Sequence, residues 1–158
     1  MSPPEILAVG GEAALVLAVL HEAAFAPRRE RPWSAGEIRD LLLLPGVSAL
    51  LAGQDPPLGM VMVQVTAGEA EILTLAVDPE ARRCGVGGLM LDHALRLARH
   101  QGALTMLLEV AEDNPPALAL YNSRDFTPRG RRPRYYSRDD GSTADALILG
   151  RCLRDLKG

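Results

Sequence analysis

The stretch from Val77 to Leu91, V-D-P-E-A-R-R-C-G-V-G-G-L-M-L, constrains this chain more than any other. An apolar run from Ile72 to Val77 stops at Asp78-Pro79, and after a short basic, glycine-rich turn the sequence resumes with helical spacing. The order is strand, loop, helix. Gly85, Gly87 and Gly88 take three Cβ atoms out of the turn, so backbone N–H groups can converge on a ligand where the helix dipole begins. A helix start of this kind suits an anion such as a pyrophosphate. Two familiar phosphate loops fail on counting. No lysine follows these glycines, which rules out a P-loop. Met90 occupies the third glycine position of a dinucleotide fingerprint. What remains is R-x-x-G-x-G, Arg82 to Gly87, behind V-D-P.

The rest of the chain reads as one α/β unit spanning 1–158. Glu5 to Val9 predicts a short strand, and Glu12 to Phe25 a helix whose apolar face holds Val16, Val19, Leu20, Ala23 and Ala24. H-E-A-A-F at His21 begins like a zinc-protease motif but lacks the second histidine, so a structural helix turn is expected and no metal. W-S-A-G-E-I predicts a capping box between Ser34 and Glu37, with Trp33 stapled onto Ile38. Three β-rich runs follow, Val47 to Ala52, Leu58 to Thr66 and Glu71 to Val77, with turns short enough for antiparallel hairpins. After the glycine loop comes a long helix stopped by Gly102, then a strand from Leu104 to Val110. This strand, helix, strand unit predicts a right-handed parallel crossover. Asn114-Pro115 opens a short helix running to about Arg124, and two final β-rich runs flank Asp139-Asp140-Gly141.

Two residues are candidates for chemistry. Glu109, at the end of the strand that follows the crossover helix, is a carboxylate after Met106-Leu107-Leu108 and suits a general base. The alternative is a solvated strand-end glutamate. Tyr121, in the helix opened by Asn114, is a weak acid able to protonate a departing thiolate. Its alternative is a packing aromatic. Arg129, Arg131, Arg132 and Arg134 form a basic cluster that reads as a solvated hairpin face.

The loop resembles the acetyl-CoA loop of the GNAT acetyltransferase superfamily. L-E-V at Leu108 to Val110, Asn114, A-L-Y at Ala119 to Tyr121, Phe126 and Tyr135-Tyr136 resemble its bacterial ribosomal-protein alanine N-acetyltransferase branch, as do P-W-S at Pro32 and the D-G and D-A pairs at Asp140 and Asp145. The resemblance implies a mixed, mostly antiparallel central sheet flanked by helices, with a β-α-β acetyl-CoA-binding core. It implies Glu109 as base and Tyr121 as acid. It also implies acetyl-CoA contacts from Leu75, Ala76 and Val77, from Arg83, Cys84, Gly85, Val86, Gly87 and Gly88, and from Asn114. The acceptor it implies is a protein N-terminal α-amine, such as that of a ribosomal protein. Two other readings stay open: a small-molecule amine acetyltransferase, and a non-catalytic acyl-CoA-binding regulator. Retention of both Glu109 and Tyr121 weighs against the second. The chain departs from the family's usual pattern at Asp125, where glycine is common, and at Cys84 inside the loop.

Composition sets the outer bounds. A net charge of -3 argues against a nucleic-acid binder, which needs a basic excess. Two distant cysteines suggest no disulfide framework. With no apolar run long enough for a membrane span and no signal-peptide start, a cytoplasmic enzyme is expected.

Overall fold

The run G-M-V-M-V-Q-V from Gly59 lacks the polar alternation of a half-exposed strand, and such a strand needs a layer on each face. The computed structural model, which describes residues 2–156, supplies both layers. Seven strands, β1 (Ile6–Val9), β2 (Val47–Ala52), β3 (Gly59–Thr66), β4 (Glu69–Val77), β5 (Thr105–Ala111), β6 (Thr127–Ser137) and β7 (Thr143–Cys152), form one sheet in the order β1-β2-β3-β4-β5-β7-β6. Only β4 and β5 run parallel; every other pairing is antiparallel. Helices α1 (Ala14–Phe25) and α2 (Ala35–Leu42) cover one face, where Leu17, Leu20 and Ile38 meet Met60 and Met62. Helices α3 (Val86–His100) and α4 (Pro115–Ser123) cover the other, where Met90, Leu91, Leu95 and Tyr121 meet Val61, Val63, Met106 and Leu108. None of the described helices is long and apolar enough to cross a membrane.

Local chemistry accounts for the element boundaries. Ser34 Oγ accepts from the Glu37 N–H at 3.1 Å and the Ser34 N–H donates to Glu37 Oε1 at 3.2 Å, the expected capping box. Asn114 caps α4 by accepting from the Ala117 N–H, with Pro115 at the first helical position. Positive φ at Ala67 and Gly68 turns β3 into β4 through a tight hairpin that matches strand twist.

One expectation is corrected and another extended. α1 buries Ala14, Leu17, Leu20, His21 and Ala24, while Val16 and Val19 are 37% and 59% exposed. The sequence A-L-V-L-A-V-L is apolar around the whole helix, so periodicity could not select the buried face. Trp33 shares an apolar cluster with Ile38, but its specific partner is His21. The two rings stack at 4.8 Å, and the Trp33 N–H donates to His21 Nδ1 at 3.1 Å. The imidazole is therefore a buried acceptor that holds the chain entering α2.

One irregularity shapes the site. β4 and β5 pair over only four positions, Glu69 with Thr105 through Ile72 with Leu108. On the other edge of β4, Val63 faces Ile72 while Met62 faces Thr74, leaving Leu73 as an inserted residue. Such a bulge bends its strand and ends pairing. Beyond it Leu75, Ala76 and Val77 keep partners in β3 and have none in β5, while Glu109 to Ala111 pair only with β7. The two parallel strands therefore part, and a gap opens between them at their C-terminal ends.

Candidate active site

The loop at the mouth of this gap is held from both sides. Asp78 Oδ1 accepts from the Glu80 N–H and caps a single 3-10 turn, Pro79–Ala81. Arg82 reaches back to the Ala24 carbonyl at the end of α1. Arg83 (φ 65°) and Gly85 (φ 80°) then adopt left-handed backbone conformations, and α3 begins with no side chain capping it. Uncapped first-turn N–H groups at a dipole's positive end, preceded by left-handed residues, form an anion-binding concavity. At Gly85 the left-handed φ favours glycine, and a Cβ there would meet no atom within 4 Å, so this side of the loop is open.

Gly87 and Gly88 have a second reason to be small. A Cβ on Gly87 would lie 3.3 Å from Leu120 Cδ2 and 3.6 Å from Val77 Cγ2; one on Gly88 would lie 2.5 Å from the Arg124 guanidinium. Arg124 is held in place by a two-pronged ion pair to Asp92 on α3, at 3.1 and 3.2 Å. The glycines thus let α4 press against the first turn of α3. Cys84 is exposed, and its Sγ donates to the Arg82 carbonyl.

Tyr121 is aimed by the end of α4. The Phe126 N–H donates to the Tyr121 carbonyl and the Asp125 N–H to the Asn122 carbonyl, each at 3.1 Å, which is a Schellman closure with Asp125 in the glycine position. Asp125 takes φ 66°, so aspartate does the work of the usual glycine at some conformational cost. The Tyr121 ring packs edge-on to Phe126 at 5.8 Å and is only 7% exposed. Burial pushes its hydroxyl up to about 12. That hydroxyl has no hydrogen-bond partner among the described residues.

Glu109 projects from β5 where pairing with β4 has ended, and its side chain is 23% exposed. It is no solvated strand-end residue, because Arg132 Nε sits 2.7 Å from its Oε1. Tyr136 stands near both candidates: burial, and then the negative charges of Glu30 and Glu109, push its hydroxyl well above the ordinary range. Glu71, on β4, is likewise held above the usual carboxylate range by burial, then by Glu109 and Glu69.

The arginine cluster lies on an exposed strand, as expected, and two of its members have specific partners. Arg131 pairs with Glu112 and with Asp145, and Arg132 with Glu109, so two of the four are committed to specific carboxylates. Sequence spacing also gave no sign of a further network. Arg138, whose side chain is 8% exposed, donates to the Arg28 carbonyl, to Glu30 and to Asp113, while Arg28 also pairs with Glu30 and Asp113. These bonds strap together the segment after α1, the β6–β7 turn and the loop before α4, forming a rim beside Tyr136. Three of these contacts, Arg28 to Asp113 and Arg138 to Arg28 and Glu30, span more than 80 residues, which local patterns cannot reveal.

Known proteins share this chain's sequence family and fold. Residues 17–126 match the family model described as Acetyltransferase (GNAT) family. The ribosomal protein bS18-alanine N-acetyltransferase of Escherichia coli (strain K12) is 38% identical over 88 residues, 56% of this chain and 59% of that enzyme, so the match spans less than two thirds of the relative's length. The enzyme of the same name from Haemophilus ducreyi is 30% identical over 118 residues, 75% of this chain and 81% of its own. Among solved structures, the ribosomal-protein-S18-alanine N-acetyltransferase from Escherichia coli superposes with a TM-score of 0.84 and 26% identity, covering 98% of this chain and 99% of the other. With the family model spanning more than half its length and the fold matched end to end, this chain belongs to the GNAT acetyltransferase family.

Proposed function

We propose that this chain transfers the acetyl group of acetyl-CoA to a primary amine, and that the acceptor is the α-amine of a protein N-terminus such as that of a ribosomal protein. The reading rests on one observation: β4 and β5 part toward their C-terminal ends, with an open, uncapped helix start beyond β4 and Glu109 on β5 where the pairing has ended. Acetyl-CoA fits the chemistry of those groups. The N–H groups from Arg83 to Gly88, Cys84 and Val86 included, would hold its pyrophosphate. The edge of Leu75, Ala76 and Val77, unpaired toward β5, would bond the amide groups of its pantetheine arm. Asn114, whose Oδ1 is engaged as a cap, keeps its amide N–H groups for the ligand.

In this reading Glu109 takes a proton from the acceptor ammonium, directly or through one water. The amine lone pair then attacks the thioester carbonyl carbon, the carbon–sulfur bond breaks, and the departing sulfur receives a hydrogen bond and then a proton from Tyr121. With its hydroxyl near 12, Tyr121 stays protonated at any working pH. An α-amine has a pKa near 8, against about 10.4 for lysine, so a modest base such as a carboxylate suffices. The names of the two bS18-alanine enzymes support this choice of acceptor. The test is Glu109→Gln. Turnover is expected to fall by about 10² or more while acetyl-CoA affinity stays near wild type, with partial recovery at high pH where the acceptor is already neutral. Wild-type turnover at neutral pH would remove Glu109 from the reaction.

A further inference from the structure

The hairpin of β6 and β7 carries a distortion with a specific result. Arg132 pairs with Ala146 and Tyr136 with Ala144, so Pro133, Arg134 and Tyr135 stand where one residue would fit. Arg134 takes φ 50° within this bulge, and its N–H donates to Asp145 Oδ1 at 2.8 Å. Asp145 Oδ2 meanwhile accepts from Arg131 at 2.7 Å. One carboxylate therefore holds the Arg134 backbone on one side of Arg132 and the Arg131 guanidinium on the other. Bulges re-aim side chains, and Arg132 flanks this one. Glu109 pairs with Ile148 on β7, two residues from Ala146, so Arg132 reaches diagonally over a fully buried alanine to the carboxylate, 2.7 Å away. Its guanidinium also lies 5.7 Å over the Tyr135 ring, a second constraint on its direction.

We propose that Arg132 is the positioning residue of Glu109, holding Oε1 so that Oε2 alone faces the acceptor amine. This rests on Glu109 being the base. A carboxylate at the end of a strand, beside a gap, has several rotamers, and only one directs an oxygen at the reacting nitrogen. Arg132 fixes that rotamer through one oxygen and leaves the other available. It also sets a positive charge near Glu71, the β4 carboxylate that feels the charge of Glu109. Because Arg132 is more than half exposed, its replacement should leave the fold intact.

A kinetic double-mutant cycle of Arg132→Gln and Glu109→Gln tests this, with melting curves confirming that every variant is folded. Arg132→Gln is expected to lower kcat by about 10 to 10²-fold with the KM for acetyl-CoA unchanged, and Arg132→Lys to recover part of that loss. In the Glu109→Gln background Arg132→Gln should change kcat by less than about twofold, because no base is left to position. An equal loss in both backgrounds would overturn the proposal while leaving Glu109 as base. Full turnover by Glu109→Gln alone would overturn both assignments.

Discussion

Lowering the pH from 7 to 5 should destabilise this protein through His21 in particular. The imidazole is 3% exposed, stacked on Trp33 and placed 4.4 Å from the Phe25 ring, and its Nδ1 accepts the Trp33 N–H. A protonated ring would lose that acceptor. Burial is the main cause that lowers the group from 6.5 to about 4, with Glu37 opposing and Arg31 adding a smaller push. The folded state thus binds this proton less readily than the unfolded chain does. Stability is fully present above pH 6.5 and is lost as the pH falls toward 4. At about 1.4 kcal/mol per pH unit the whole loss is at most about 3 kcal/mol, and about 2 kcal/mol of it falls between pH 7 and 5. His21→Asn keeps an acceptor for the Trp33 N–H without a titrating group. Urea unfolding followed by the fluorescence of Trp33, the chain's single tryptophan, measures both proteins at both pH values. The wild type should lose about 2 kcal/mol more than His21→Asn. Parallel losses would refute the reasoning and show that His21 is accessible to protons in the folded state.

Three further outcomes follow from the geometry. Asp125→Gly removes a left-handed penalty and should raise stability by about 0.5–1 kcal/mol; a loss in denaturation experiments would mean that the Asp125 side chain contributes a contact of its own. Tyr121→Phe should lower turnover about 10 to 10³-fold with acetyl-CoA affinity unchanged. Because burial keeps that hydroxyl protonated to about 12, the pH–rate profiles of both enzymes should show no descending limb from Tyr121 below about pH 11, contrary to what an ordinary tyrosine would give. Gly85→Val should weaken acetyl-CoA binding at least tenfold by calorimetry, through left-handed strain and a side chain projecting into open space at the loop. Unchanged affinity would leave the loop a structural turn.

What could be read from the residues was mostly what local chemistry decides. Ser34 with Glu37, Asn114 with Pro115, and the apolar run of β3 each have one economical conformation, and the structure adopts it. The glycine loop was legible for the same reason, since Gly85 at φ 80° is a conformation written into its residue type. The parting of β4 from β5 was not, because Leu73 looks like any other apolar strand residue and its bulge depends on pairing with Met62 and Val63. Nor was the place of β7 between β5 and β6 visible, since a hairpin does not state which of its strands lies inside. Arg132 was hidden among four similar arginines. Only the bulge pinned by Asp145 distinguishes it, and that bulge is a tertiary feature.

The most direct test uses a peptide that begins with alanine and also contains an internal lysine, incubated with the protein and acetyl-CoA and fragmented by mass spectrometry to locate the added acetyl group. The account predicts one acetyl group on the α-nitrogen, lost when the N-terminus is blocked and much reduced in Glu109→Gln. An acetyl group on lysine, or equal labelling of the blocked peptide, would contradict it.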